Sequence, residues 1–128
     1  METLSLKMKT LSNRYPSDVK KHAQRVSALA SVYGKDYALV GLLHDIIEDT
    51  STTLDEIPED IRTDIDTLTR RKNEAYFDYI HRIKNGSRRA ILIKYIDIYD
   101  HLTHTETLKP SLKKRYEKAK EILESIDI

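Results

Sequence analysis

The sequence predicts an all-α fold, a single domain over residues 1–128 built as a bundle of about six or seven helices. Apolar residues recur at intervals of three and four along most of the chain, which is the spacing of one helix face. Only three glycines and three prolines are present, too few for the many turns of an all-β fold. A chain of this length can also bury a genuine core.

The first half of the chain predicts three helices. A short one is expected within residues 1–12. Pro16 suits a helix start and Gly34 suits a helix end, so a second helix lies between them. Its apolar spacing turns His22 inward, although a single inward histidine is more often a hydrogen-bonded core residue than a metal ligand. A third helix is expected over about residues 36–48.

The second half predicts four more helices. Residues 53–56 have the pattern of a capping box that opens a short turn. Residues 69–73 form a polar, basic break, and Ser87 can cap a long helix that runs to about His104. The last helix is expected to turn Ile126 toward the core. The helices are expected to begin, in chain order, at Pro58, Glu74, Arg88 and Pro110.

One segment, LLHDIIEDT at residues 42–50, concentrates side chains that bind metals or move protons. His44 and Glu48 are four residues apart, as are Asp45 and Asp49, so each pair lies on one helix face. The alternative is the solvated face of an amphipathic helix. However, residues 36–61 hold eight Asp or Glu and no Lys or Arg, and such a concentration repels itself unless a cation is bound. The side chains concerned are His44, Asp45, Glu48 and Asp49.

A second segment has the opposite charge. Residues 62–94 carry nine Lys or Arg against four Asp or Glu. A cation site followed by an anion site suits a phosphate ester held by a metal, although a basic run is usually just a solvated surface. The candidates for contact with phosphate groups are Arg70, Arg71, Lys72, Arg88 and Lys94.

Composition limits the compartment and the partners. The absence of cysteine excludes disulfides and thiolate zinc sites and fits a reducing cytoplasm, which is the expected location. The apolar runs are far shorter than a membrane span, and no secretory h-region is recognisable. A net charge of +1 predicts no general affinity for nucleic acid. No nucleic-acid or membrane partner is therefore expected, and the oligomeric state stays open.

Three predicted helices each carry a candidate metal ligand. These are His22, the pair His44 and Asp45, and Asp97. Asp97 lies within a strongly apolar run, where an unpaired buried carboxylate would be costly. Two imidazoles and two carboxylates suit a borderline divalent ion such as Mn²⁺, Fe²⁺ or Zn²⁺. Spacing alone does not show that the four groups meet.

The order His, His-Asp, Asp along a helical chain resembles the HD superfamily of metal-dependent phosphohydrolases. Residues 22–28, HAQRVSA, resemble the H-P-x-x-V-A segment of the RelA/SpoT-type hydrolases. Residues 42–50 resemble their L-L-H-D-x-x-E-D-T, and residues 94–97, KYID, resemble their K-L-A-D. The resemblance extends over roughly residues 15–104.

This resemblance implies a set of roles. Glu48 and Asp49 would orient and deprotonate the attacking water, since a bound divalent ion lowers the pKa of water toward neutrality. The implied reaction is hydrolysis of the 3′-pyrophosphate of guanosine tetra- or pentaphosphate, with Mn²⁺ as the expected ion. The implied metal ligands are His22, His44, Asp45 and Asp97.

One position departs from the family pattern. Related hydrolases place an Asn that contacts the nucleotide four residues after the last metal-binding Asp, and here that position is His101. His101 either contacts the substrate or joins the metal site. The alternatives to alarmone hydrolysis are an HD-type nucleotidase or pyrophosphohydrolase on another nucleotide, and a non-catalytic nucleotide-binding module.

Overall fold

A computed structural model of the chain describes residues 4–104 and 108–125, and in that part the backbone is helical without a strand. The predicted all-α fold is confirmed. Seven helices of nine residues or more are present in these ranges, together with one single-turn helix. None of them is long and apolar enough to cross a membrane.

The helices follow one another through short connections. Two of these connections contain a 3-10 turn, at Ser31–Tyr33 and at Leu54–Glu56. The predicted helix that falls within residues 1–12 is present. In chain order the helices are α1 (Leu4–Ser12), α2 (Ser17–Ala30), α3 (Lys35–Leu43), α4 (Ile46–Asp49), α5 (Glu59–Leu68), α6 (Tyr76–Lys84), α7 (Arg88–Thr103) and α8 (Pro110–Glu124).

Local signals account for most of these boundaries. Gly34 separates α2 from α3 with a φ of 134°, a conformation that residues with a Cβ rarely adopt. Thr53 and Glu56 form the predicted capping box. The Ser87 hydroxyl accepts a hydrogen bond from the Ala90 N–H and so caps α7. The predicted capping box and the predicted start of α7 are confirmed, whereas α2 ends at Ala30, before the predicted end at Gly34.

Helix α7 lies at the centre of the fold, in contact with α2, α3, α5, α6 and α8. Its apolar sequence explains this position, because each fully buried Ile or Leu contributes about 1.5–3 kcal/mol. Ile93 and Ile98 are fully buried. This packing carries Asp97, on the same helix, against α2 and the end of α3. The predicted core residue Ile126 lies outside the described residues.

The predicted helix over about residues 36–48 is wrong at one point. Helix α3 ends at Leu43, the next two residues form a turn, and α4 begins at Ile46. The Tyr15 hydroxyl donates a hydrogen bond to the Leu42 carbonyl (2.9 Å) and accepts one from the Asp45 N–H (3.3 Å). It thus bonds to two groups that a continuous helix would use in its own ladder. Tyr15 is thirty residues from Asp45, so local periodicity could not reveal the break.

Candidate metal centre

Four residues from three parts of the fold converge at the centre of the bundle. His22 comes from α2, His44 and Asp45 from the turn after α3, and Asp97 from α7. One ligand atom of each lies within 4.8 Å of the others. Asp45 is half-buried and the other three are buried. The predicted donors therefore form a group that can hold a metal ion.

The orientation of His44 favours a cation. Its Nδ1 lies 2.6 Å from the carbonyl oxygen of Gly41, which can only accept, so Nδ1 carries the proton and Nε2 carries the lone pair of a neutral ring. Nε2 lies 3.0 Å from Asp45 Oδ2 and 3.4 Å from Asp97 Oδ1. This nitrogen is buried without a hydrogen-bond partner. A lone pair facing two carboxylates is unfavourable unless a proton or a metal ion lies between them.

His22 has a similar arrangement. Its Nδ1 lies 2.6 Å from Asp100 Oδ2, and its Nε2 lies 2.7 Å from Asp97 Oδ1. Two imidazole Nε2 atoms are therefore directed at the same oxygen of Asp97. Each imidazole has an acceptor behind its Nδ1, the Gly41 carbonyl for His44 and the Asp100 carboxylate for His22.

The charges of the group are strongly coupled. Burial acts to lower the pKa of His44, but the charges of Asp45 and Asp97 outweigh it and hold the pKa well above its ordinary value. Burial acts to raise the pKa of Asp97, but Lys94 and His44 hold it well below the usual range. For His22, burial acts to lower the pKa, but the hydrogen bond to Asp97 and the charge of Asp97 outweigh it and raise the pKa above its ordinary value. Protons and a cation therefore compete for the imidazole nitrogens that face Asp97.

Lys94 lies inside the group and away from the surface. Its side chain is 9% exposed, and Nζ donates a hydrogen bond of 2.7 Å to Asp97 Oδ2. Its Nζ also lies 5.0 Å from the centre of the Tyr79 ring. Burial acts to lower the pKa of Lys94, and the charge of Asp97 holds it well above the usual value. Lys94 thus neutralises one oxygen of Asp97 and leaves Oδ1 facing the histidines.

The two predicted catalytic acids lie at the exposed rim of the group, on α4. Glu48 Oε1 accepts a hydrogen bond of 2.9 Å from the backbone N–H of Arg70. Burial of the carboxyl and the charge of Asp45 raise the pKa of Glu48, while the Arg70 N–H acts in the opposite direction. Burial and the charge of Asp45 also raise the pKa of Asp49. Raised carboxyl pKa values beside a metal-binding group are typical of general bases.

Arg70 is the basic candidate that the structure brings to this rim by a direct contact with Glu48. Its guanidinium carbon lies 5.6 Å from the centre of the Tyr76 ring, and that of Arg115 on α8 lies 4.7 Å from the same centre. Neither guanidinium forms an ion pair with a carboxylate of the described residues. Two arginines therefore border one tyrosine ring near the metal group.

The other basic candidates lie elsewhere. Arg71 forms an ion pair of 3.1 Å with Asp66 in its own segment. Lys72 is exposed in the same connection, and Arg88 is exposed at the start of α7. Arg88 precedes Asp97 by nine residues, which is about 14 Å along a helix. Their proposed contact with phosphate groups stays a prediction.

His101 lies beside the four candidate donors but is not one of them. Its Nε2 lies 3.3 Å from Asp97 Oδ1. Its ring stacks on His22 at 4.5 Å and on Tyr116 of α8 at 4.9 Å between centres. The side chain is 37% exposed, so His101 lies between the four candidate donors and the solvent.

Sequence reasoning missed several residues of this region. The sequence could have indicated Asp100 and Arg25. Asp100 lies three residues after Asp97, and Arg25 lies three residues after His22, so each shares a helix face with a candidate ligand. The other missed residues carried no local signal, because they reach the site only by long-range packing: Tyr15, Arg115 and Tyr116.

A scan against protein-family profiles and a search of curated proteins both find no match for this chain. The resemblance to the HD superfamily therefore rests on the motif residues and their order. The geometry shows that four donor groups from distant parts of the chain converge and can hold a metal ion.

Proposed function

We propose that the protein is a metal-dependent phosphohydrolase of the HD type that acts on a nucleotide. The observation that carries this proposal is the convergence of two imidazoles and two carboxylates, with the Nε2 of His44 buried and unpartnered. This donor set suits Mn²⁺, Fe²⁺ or Zn²⁺, and Mn²⁺ is the proposed ion by resemblance. When bound, such an ion lowers the pKa of water and polarises a phosphoryl oxygen.

Glu48 is the proposed general base. The Arg70 N–H holds Oε1, which orients the carboxylate. Oε2 accepts no hydrogen bond from the described residues, so it can take a proton from the attacking water. A pKa above the usual carboxyl range suits this role, because proton transfer is most efficient near the working pH. Asp49, beside it on α4, is proposed to orient the same water.

Arg70 and Arg115 are the proposed contacts for the phosphate groups. Their planar guanidinium groups match phosphate oxygens in two-point hydrogen bonds, and no carboxylate among the described residues engages them in an ion pair. His101 is covered on both ring faces, by His22 and Tyr116, so Tyr116 is the member of this stack proposed to contact a base. By resemblance, the proposed reaction is hydrolysis of the 3′-pyrophosphate of guanosine tetra- or pentaphosphate.

The second candidate is an HD-type nucleotidase or pyrophosphohydrolase on another nucleotide. His101, stacked between His22 and Tyr116 in place of the family Asn, favours a changed nucleotide preference. A non-catalytic binding module is less well supported, because such a module would not need Glu48 and Asp49 beside the metal donors.

A substrate screen with Mn²⁺, read by product chromatography, tests the proposal. We expect pyrophosphate release from guanosine tetraphosphate, with loss of activity in His44→Ala. His81→Ala, at an exposed position of α6, is the matched control and should keep full activity. Hydrolysis of only another nucleotide would select the second candidate. Nucleotide binding without any hydrolysis would leave the binding module.

A further inference from the structure

Behind His22 lies an ion pair that the proposed reaction does not use directly. The Arg25 guanidinium donates to both carboxylate oxygens of Asp100, with Nε 2.9 Å from Oδ1 and Nη2 2.9 Å from Oδ2. Asp100 is 3% exposed. Both of its oxygens are thus engaged, and its side chain is held in one orientation.

The same carboxylate contacts the ring of His22. Oδ2 of Asp100 lies 2.6 Å from Nδ1 of His22. An ionised carboxylate can only accept a hydrogen bond, so Nδ1 must carry a proton. The charged guanidinium of Arg25, which donates to both oxygens of Asp100, favours the ionised carboxylate.

This contact decides which nitrogen of His22 faces the metal donors. With Nδ1 bonded to Asp100, Nε2 is turned toward Asp97 Oδ1 at 2.7 Å. The carbonyl of Gly41 has the same effect on His44. A buried ion pair adds little to stability by itself, since desolvation offsets most of its attraction. The pair of Arg25 and Asp100 instead holds the His22 ring in one orientation.

We propose that Asp100, held by Arg25, is a positioning residue that fixes His22 with Nδ1 protonated and Nε2 directed at the metal ion. The inference rests on the metal centre proposed above. Carboxylates that accept from the second nitrogen of a metal-binding histidine orient the ring and increase its basicity. Loss of such a partner typically weakens metal binding 10–100-fold.

Asp100→Asn is the variant that tests this role. Its amide offers one oxygen where Arg25 and His22 together need two acceptors, so one of them must face an NH₂ group. We expect Mn²⁺ to bind about 10–100-fold more weakly in titration calorimetry. Asp78→Asn, at an exposed position of α6, is the matched control and should bind Mn²⁺ as the wild type does. Arg25→Gln should weaken binding severalfold, because Asp100 is then less firmly held.

A second measurement needs no variant. In the Zn²⁺-loaded wild-type protein, ¹⁵N NMR of the imidazoles should show His22 protonated at Nδ1 and bound to the metal through Nε2. The opposite arrangement would overturn the proposal, as would wild-type Mn²⁺ affinity in Asp100→Asn. Failure of the wild-type protein to bind Mn²⁺ would overturn both the metal centre and the role of Asp100. Unchanged affinity in Asp100→Asn would overturn the role of Asp100 alone.

Discussion

The Tyr15 hydroxyl lies 2.9 Å from the Leu42 carbonyl oxygen and closes helix α3 just before the turn that carries His44 and Asp45. The same hydroxyl accepts from the Asp45 N–H. One side chain from the α1–α2 connection thereby supports the backbone that presents His44 and Asp45. The position of two ligands thus depends on a residue that binds no metal itself.

Tyr15→Phe should therefore weaken both the fold and the metal site. The change leaves a buried carbonyl and an N–H without their partner, which we expect to lower the free energy of unfolding by about 1–3 kcal/mol. Mn²⁺ binding should weaken as well, because the turn at His44 and Asp45 loses its support. Urea unfolding and titration calorimetry measure the two effects. Tyr33→Phe, at an exposed tyrosine, should change neither, and an equally unaffected Tyr15→Phe would contradict this account.

Metal binding itself should be stoichiometric. Protein purified without chelator should contain about one divalent transition metal per chain by elemental analysis. The double change His44→Ala/Asp45→Ala should abolish it, since two of the four donors are removed. Saturating Mn²⁺ at about 100 times its Kd should add about 2.7 kcal/mol to the free energy of unfolding of the wild type. Metal retained in full by the double variant would place the site elsewhere.

Glu48→Gln should separate metal binding from turnover. The amide keeps the size of the side chain and can still accept from the Arg70 N–H, but it cannot take a proton. Turnover should fall by about 10²-fold or more, with Mn²⁺ affinity little changed. Glu121→Gln, at an exposed position of α8, is the control. If metal and activity disappear together, Glu48 is a ligand and its assignment as the base is wrong.

Lys94→Met should destabilise the metal-free protein. It removes the cation that pairs with Asp97 Oδ2 at 2.7 Å and leaves that buried oxygen without its partner. Breaking a buried ion pair in this way typically costs about 3–5 kcal/mol. Urea unfolding should show this loss, whereas Lys114→Met, at an exposed position of α8, should stay within about 0.5 kcal/mol of the wild type. A variant of normal stability with a raised KM would instead support phosphate contact by Lys94.

His101→Asn should change substrate preference. It restores the amide that related hydrolases have at this position, in place of a ring with a different reach and a titratable charge. We expect kcat/KM for guanosine tetraphosphate to rise severalfold relative to other nucleotides, about 1 kcal/mol for one remade hydrogen bond. Loss of the metal in this variant would identify His101 as a fifth ligand. An unchanged preference would show that the position does not contact the nucleotide.

Much of this protein is determined by the sequence alone. Helix boundaries at Gly34, Ser87 and Pro110 follow from local backbone chemistry, because caps and ring constraints act over only a few residues. The all-α fold follows from the periodic apolar spacing. The donor types, two histidines and two aspartates, also indicate a group that can hold a metal ion.

Tertiary structure decided how these groups are arranged. The break at His44, the ion pair between Lys94 and Asp97, and the contact between His22 and Asp100 all depend on how the helices pack. His22 and Asp100 are 78 residues apart in the chain, so no local pattern couples them. Periodicity shows which face of a helix is buried, but only packing against α7 determines which buried polar groups meet there. An unpaired polar atom in the core is costly, and Lys94, Asp97 and Asp100 are accordingly paired there.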